Sequence, residues 1–442
     1  MSTTPTTVGH GAARVTVTRT SPAIMLLCGA ALIFEGYDIY VFGVAVPSLL
    51  QHPGWTLSPG YAGVIGSAAV FGMLLGALVA GMFTDIIGRR RIYLATVTVF
   101  SLGMLLCAVA PTPEVLLVGR LIVGIGGGGF MPTALSMVVE FSPEGRRNLN
   151  VSLALVGVGL GGILSALLGI WLVPAWGYRA LFWIGVLPLL ILLPFALRRL
   201  PESVSFLVSK GRIAAAREQI HRFRLPLELT EIPGAQPVTG RERPFAAAGS
   251  LFGRRHLRAT VVFWIGTALC LLLMFGTNTW LPSLMMKSGY GISSALSFLV
   301  FLNLGAVLGS LAGAAVADRV GPKYVVIAGF CSAALALAAL SQQPAPALVY
   351  LLVVFVGAGG AGTQNLLNSY MATYYPPSNR GSGLGLALAF GRIGGVVGPI
   401  YGGLIVASGA GTATGFLAFA LAPVVAALVL TFGPRVPGRA AS

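Results

Sequence analysis

The stretch Gly81-Met82-Phe83-Thr84-Asp85-Ile86-Ile87-Gly88-Arg89-Arg90-Arg91 decides how this chain folds, because its pattern occurs twice. Ala314-Ala315-Val316-Ala317-Asp318-Arg319-Val320-Gly321-Pro322-Lys323 repeats it 233 positions later, again at the end of a long apolar run. Other pairs keep that spacing. Pro143-Glu144-Gly145-Arg146 returns as Pro377-Ser378-Asn379-Arg380 at an offset of 234, and Gly161-Gly162 as Gly394-Gly395 at 233. Three registrations at nearly one spacing indicate internal duplication. In a membrane protein such duplication marks a transporter whose site lies near the bilayer midplane, between the repeats.

Composition agrees. Of 442 residues, 56% are hydrophobic and 9% charged, with a mean hydropathy of +0.88; soluble chains carry about 25% charged residues. Apolar runs lie at 23–46, 60–83, 92–110, 114–140, 150–171, 181–197, 259–282, 293–317, 324–340, 347–373, 384–407 and 412–433. The shortest still meets the lower limit of roughly 17 residues for a spanning helix. The expected fold is an all-α membrane protein, twelve transmembrane helices in two pseudo-symmetric six-helix halves. The tails are 1–22 and 434–442, the halves 23–197 and 259–433. The polar segment 198–258 joins them, with an amphipathic stretch from Ser205 to Phe223 and a Pro-rich link near Pro226–Pro244.

The net charge of +16 suggests a nucleic-acid partner until the charges are placed. All Lys and Arg residues except Arg120, Arg179, Lys287 and Arg392 fall in the tails or in alternate loops. This is the positive-inside pattern. It puts both termini and segment 198–258 in the cytoplasm, on a multi-pass protein of a bacterial-type inner membrane. Arg14 and Arg19 before a full-length span read as an uncleaved anchor. Cys28, Cys107, Cys270 and Cys331 all lie in apolar runs, as packing residues rather than a disulfide framework. The glycines of Gly124-Ile125-Gly126-Gly127-Gly128-Gly129 suit close helix packing; a phosphate-binding loop requires a strand–loop–helix context that is lacking here.

Function is read from charges inside the spans: Glu35, Asp38, Arg120 and Arg392, which sum to zero. A charge at that depth costs about 2.5–3.5 kcal/mol on insertion scales and usually marks a substrate or proton path. Asp85 has a repeat partner in Asp318, so both belong to the scaffold. At the same offset Glu35 falls on Ala268, Asp38 on Leu271, Arg120 on Val353 and Arg392 on Gly159. Charges present in one half only are not needed to build the fold. By depth along their helices, Asp38 meets Arg120, while Glu35 and Arg392 lie near mid-membrane in opposite halves. Glu35 and Asp38 are therefore the candidate proton carriers. Arg392, whose planar fork suits a carboxylate, is the candidate substrate anchor, with bridging between halves as its other reading. Arg120, Tyr37, Gln364, Asn365, Asn368 and Trp280 are further candidate substrate contacts, against roles in helix packing or at the membrane interface. Tyr40 is a third aromatic able to stack on a ring. Gly81, Asp85, Gly88, Arg89, Arg90, Glu140, Arg146, Asp318 and Arg380 are expected to form a cytoplasmic gate. His10, His52, His221 and His256 all fall outside the runs, which argues against a histidine relay.

The Gly81–Arg90 loop resembles that of the major facilitator superfamily, and the resemblance covers the whole chain. Glu35-Gly36-Tyr37-Asp38 with Val46-Pro47-Ser48-Leu49 resembles the first helix of the aromatic acid:proton symporters. Gly119-Arg120-Leu121, Met131-Pro132, Glu140-Phe141-Ser142-Pro143, Trp280-Leu281-Pro282-Ser283-Leu284, Gly391-Arg392-Ile393-Gly394 and Gly398-Pro399 extend it. Members usually carry Asp where Glu35 stands, and often Asn where Thr133 stands. The resemblance implies proton-coupled uptake of a small aromatic carboxylate such as benzoate, gentisate or 4-hydroxybenzoate. Rival readings are a carrier of another small organic acid, a proton-driven drug exporter and a transporter-like receptor. A central Arg is awkward for a cationic drug, and segment 198–258 shows no output domain. No catalytic cluster suggests an enzyme. The expectation is a monomer in the lipid bilayer, with no cofactor, metal or nucleic acid and with the proton as coupling ion.

Overall fold

The computed structural model describes residues 21–143, 146–223, 251–253 and 256–436, though not the side chains of Asp85, Asn148, Pro377 and Ser378. The expected Pro-rich link and most of both tails lie outside the described residues. Among the described residues, twelve helices are long and apolar enough to span a membrane: α1 Pro22–Leu50, α2 Pro59–Thr84, α3 Arg89–Val109, α4 Pro113–Glu140, α5 Leu149–Trp176, α6 Arg179–Arg199, α7 Leu257–Lys287, α8 Ile292–Val320, α9 Pro322–Leu340, α10 Pro346–Tyr374, α11 Asn379–Ala407 and α12 Thr412–Thr431. No strand occurs among the described residues.

Local sequence sets where these helices start and stop. Proline opens α2, α4, α9 and α10, where its missing N–H would have had no partner. Gly88 and Gly321 end α2 and α8 with φ of +106° and +91°, a conformation that glycine adopts without strain. They are 233 residues apart, so the duplication read in the sequence extends to backbone geometry. The amphipathic stretch divides into two short helices, Val204–Ser209 and Ile213–Phe223, because Gly211 turns the chain at φ +70°.

Packing repeats in the same register. In the first half α1 lies along α5, α2 along α4, and α3 along α6; in the second, α7 lies along α11, α8 along α10, and α9 along α12. Between the halves, α2 packs on α11 and α5 on α8, with α1 against α7. The fourth helix of each half is irregular at matching positions. Helix α4 is interrupted at Gly129, and α10 loosens into a π-turn over Ala358–Gly362, which maps onto Ile125–Gly129.

Glycine backbones show where the halves meet. Gly63 and Gly66 of α2 face Pro399 of α11, and Gly403 faces Pro59. Gly162 of α5 faces Asn303 of α8, and Gly169 faces Leu296. All of these lie at mid-helix or toward the far end, where α1 and α7 finish. Toward the near end, Gly81 on α2 and Gly381 and Gly385 on α11 have nothing within 4 Å of a built Cβ. The glycine contacts between the halves thus lie at mid-helix and toward the far end.

Candidate functional site

Four helices bring the intramembrane charges together. Gly36 and Gly161 let the backbones of α1 and α5 approach so closely that a side chain at either would collide with the other helix. That crossing fixes the rotation of α1 and aims Asp38 at α4, where its Oδ1 accepts a hydrogen bond from Arg120 Nη1. The pair is sealed, its side chains 0% and 2% exposed. The Arg120 guanidinium also lies 5.3 Å from the Phe42 ring centroid. The pair is not saturated, since Asp38 Oδ2 and Arg120 Nε have no hydrogen-bond partner.

Glu35, one turn earlier, is buried, and its Oε2 has no hydrogen-bond partner either. The charges that act on it are those of Arg392 and Asp38. Arg392 is half-buried on α11, held in the second half where Gly391 packs on Thr267 and Gly394 on Ala268 of α7. Glu35 and Arg392 thus lie in opposite halves, near enough for their charges to act on each other. Depth along the helices brings Asp38 to Arg120, because 1.5 Å of rise per residue is rigid once the helix ends are known.

The polar residues of α10 divide. Gln364 is buried, donating from Nε2 to Asn368 Oδ1 at 3.0 Å, with its own Oε1 unpartnered. Asn365 donates to Ser310 of α8 at 3.3 Å and is exposed, as are Ser369 and Thr373 one and two turns on. Exposed polar side chains at membrane depth line a watered space rather than lipid. This row runs toward the near end of α10.

Two aromatic candidates are placed elsewhere. Tyr37 is fully buried and donates its hydroxyl to the Leu181 carbonyl of α6 at 2.8 Å. Trp280 is fully buried and donates Nε1 to the Pro399 carbonyl at 2.7 Å, against Gly402 and Gly403 of α11. Each anchors helices within one half. Tyr40 does lie between the halves, its ring against Gly162 of α5 and its hydroxyl beside the Asn278 side chain of α7. Asn278 and Asn303 went unread in the sequence, although an Asn inside an apolar run is itself a signal.

At the near end Glu140 pairs with Arg89 at 2.6 Å. Its carboxylate also accepts Ser203 Oγ at 2.7 Å and the Ser205 amide at 2.9 Å. Glu202 accepts the Arg90 amide at 3.0 Å, and Arg90 Nη2 reaches the Leu197 carbonyl at 2.6 Å. Gly88 is buried beneath Glu202 and Phe206, with no room for a Cβ. The cluster therefore fastens the segment after α6 onto α3 and α4 of its own half. Arg146, Asp318 and Arg380 are exposed and join neither ion pair found among the described residues. Gly81 is exposed, and the Asp85 side chain lies outside the described residues. The sequence showed Ser203 and Ser205 only as the edge of an amphipathic stretch.

Comparison with known proteins agrees with this architecture. The profile of the Major Facilitator Superfamily matches residues 28–314 and 300–442. A benzoate transport protein of Acinetobacter baylyi is 32% identical, covering 92% of this chain and 88% of its own length. A gentisate transporter of Corynebacterium glutamicum is 34% identical over 92% and 86%. A gallate transporter of Pseudomonas putida is 33% identical over 92% and 90%. Among solved structures, the fold matches the inward-open xylose transporter XylE from E. coli with a TM-score of 0.73 at 17% identity, covering 94% of this chain and 97% of that one. A sealed intramembrane ion pair, two duplicated halves and these relatives describe a transporter rather than an enzyme, and the chain belongs to the major facilitator superfamily.

Proposed function

We propose that this protein is a proton-coupled importer of a small aromatic carboxylate, working by alternating access in a bacterial inner membrane with both termini in the cytoplasm. The observation that carries the reading is the placement of Glu35 and Arg392 across the two halves, beside the sealed Asp38–Arg120 pair. The relatives' names supply the substrate class, and the loop distribution of Lys and Arg supplies the orientation.

The chemistry follows from charge balance. A substrate carboxylate entering between the halves takes the Arg392 guanidinium in a charge-assisted hydrogen bond. Glu35 is then left without its counter-charge, and an uncompensated buried charge is relieved by taking up a proton. Substrate and proton therefore load together, and Glu35 re-pairs with Arg392 once both have left. Asp38 is the second candidate carrier, coupled to the site through Arg120.

Proteoliposome uptake of a radiolabelled aromatic-acid panel under an imposed pH gradient tests this. Arg392→Ala should abolish substrate binding, while Glu35→Gln and Asp38→Asn should spare binding and at least one should lose pH-driven accumulation. If both acid variants still concentrate substrate with pH as the sole driving force, proton coupling through this motif is wrong.

A further inference from the structure

Asn278 is 3% exposed, and its side-chain carbonyl Oδ1 has no hydrogen-bond partner. A buried acceptor without a donor is uncommon and unfavourable, so it calls for a ligand or another explanation. Its surroundings place it between the halves. The Asn278 backbone faces Gly43 of α1, and its side chain lies beside the Tyr40 hydroxyl. Tyr40 and Asn303 of α8 together fill the space that the missing Cβ of Gly162 leaves on α5. Four helices, two from each half, thus build one polar tier.

This tier stands farther along the same axis than Glu35 and Arg392. Gly43 is eight residues past Glu35, and Asn278 ten residues past Ala268, which packs beside Arg392 through Gly394. At a 1.5 Å rise these are separations of about 12–15 Å between backbones. On the aromatic-carboxylate reading, a ring anchored by its carboxylate on Arg392 would extend along this axis.

We propose that Asn278 determines specificity, its Oδ1 accepting a hydrogen bond from a ring hydroxyl meta or para to the carboxylate. The protein then prefers meta- or para-hydroxylated aromatic acids to unsubstituted ones. The inference rests on the aromatic-carboxylate reading above. Its physical basis is asymmetric discrimination: a site built to pair a hydroxyl rejects the analogue that leaves its own polar group unpaired. An ortho hydroxyl gains nothing, because it lies beside the carboxylate and far from Asn278.

Uptake of radiolabelled 4-hydroxybenzoate into proteoliposomes, in competition with unlabelled benzoate and 2-, 3- and 4-hydroxybenzoate, tests the assignment. In the unmodified protein the better of the 3- and 4-hydroxy acids should compete roughly ten- to a hundred-fold more strongly than benzoate or 2-hydroxybenzoate. In Asn278→Leu and Asn278→Ala that preference should shrink to within about three-fold, with benzoate competition nearly unchanged. Retained benzoate recognition shows that the fold and the Arg392 end are intact. Equal competition by all four acids in the unmodified protein, or a preference that survives both substitutions, overturns the role of Asn278. So does loss of benzoate recognition in both variants, which makes Asn278 a packing residue. If no aromatic acid competes at all, the proposed function itself fails, a distinct outcome.

Discussion

Neutralising one member of the Asp38–Arg120 pair should harm this protein more than neutralising both. The two side chains are 0% and 2% exposed, so water and salt do little to screen a charge left alone there. Asp38→Asn leaves the guanidinium with the Phe42 ring at 5.3 Å as its nearest compensation, worth about 2 kcal/mol at best. Arg120→Gln leaves a carboxylate whose Oδ2 already has no partner. Breaking a buried pair in this way costs about 3–5 kcal/mol, whereas replacing both ions by neutral groups is often close to neutral. The double variant Asp38→Asn/Arg120→Gln places two amides where they can bond each other. A double-mutant cycle should therefore show a coupling of about 3 kcal/mol or more. With an unfolding entropy of about 2 cal/mol/K per residue, each single variant should lower the melting midpoint by about 3–5 °C. Detergent-solubilised protein followed by the fluorescence of its buried tryptophan provides the assay. Two losses that add to within about 0.5 kcal/mol would refute the reasoning, since independent sites behave that way.

Glu140→Gln should release Ser203 and Ser205 and raise hydrogen exchange over 200–209 at least several-fold, with exchange in α1 unchanged. Tyr37→Phe should cost about 1 kcal/mol of stability through the lost bond to Leu181 while leaving substrate affinity within about two-fold in the competition assay. His52 lies in the loop after α1, where desolvation and the nearby Arg179 hold its imidazole below the usual histidine range. The folded state resists protonation there, so its contribution is intact above about pH 6.5 and lost as pH falls below that value. A melting-temperature series from pH 8 to 5 should be flatter in His52→Gln than in the parent, and parallel curves would rule out this contribution.

The sequence by itself determined the twelve spans, the break into six and six, and the identity of the charges that are not scaffold. These are properties of segment length, hydropathy and a fixed repeat offset, all of which survive without knowledge of neighbours. It also set Asp38 and Arg120 at matching depth, because a helix converts residue number into depth. Tertiary structure alone decided which way each side chain turns about its helix. Tyr37, one residue before Asp38, faces Leu181 and holds α6, because the glycine crossing with α5 sets the rotation of α1. Glu140 gathers Arg89, Ser203 and Ser205 on its oxygens because the segment after α6 folds back onto its own half. Asn278 became visible only when α1, α5 and α8 closed around it and left its carbonyl unpaired, since burial without a partner is a relation between helices and no single run of residues records it.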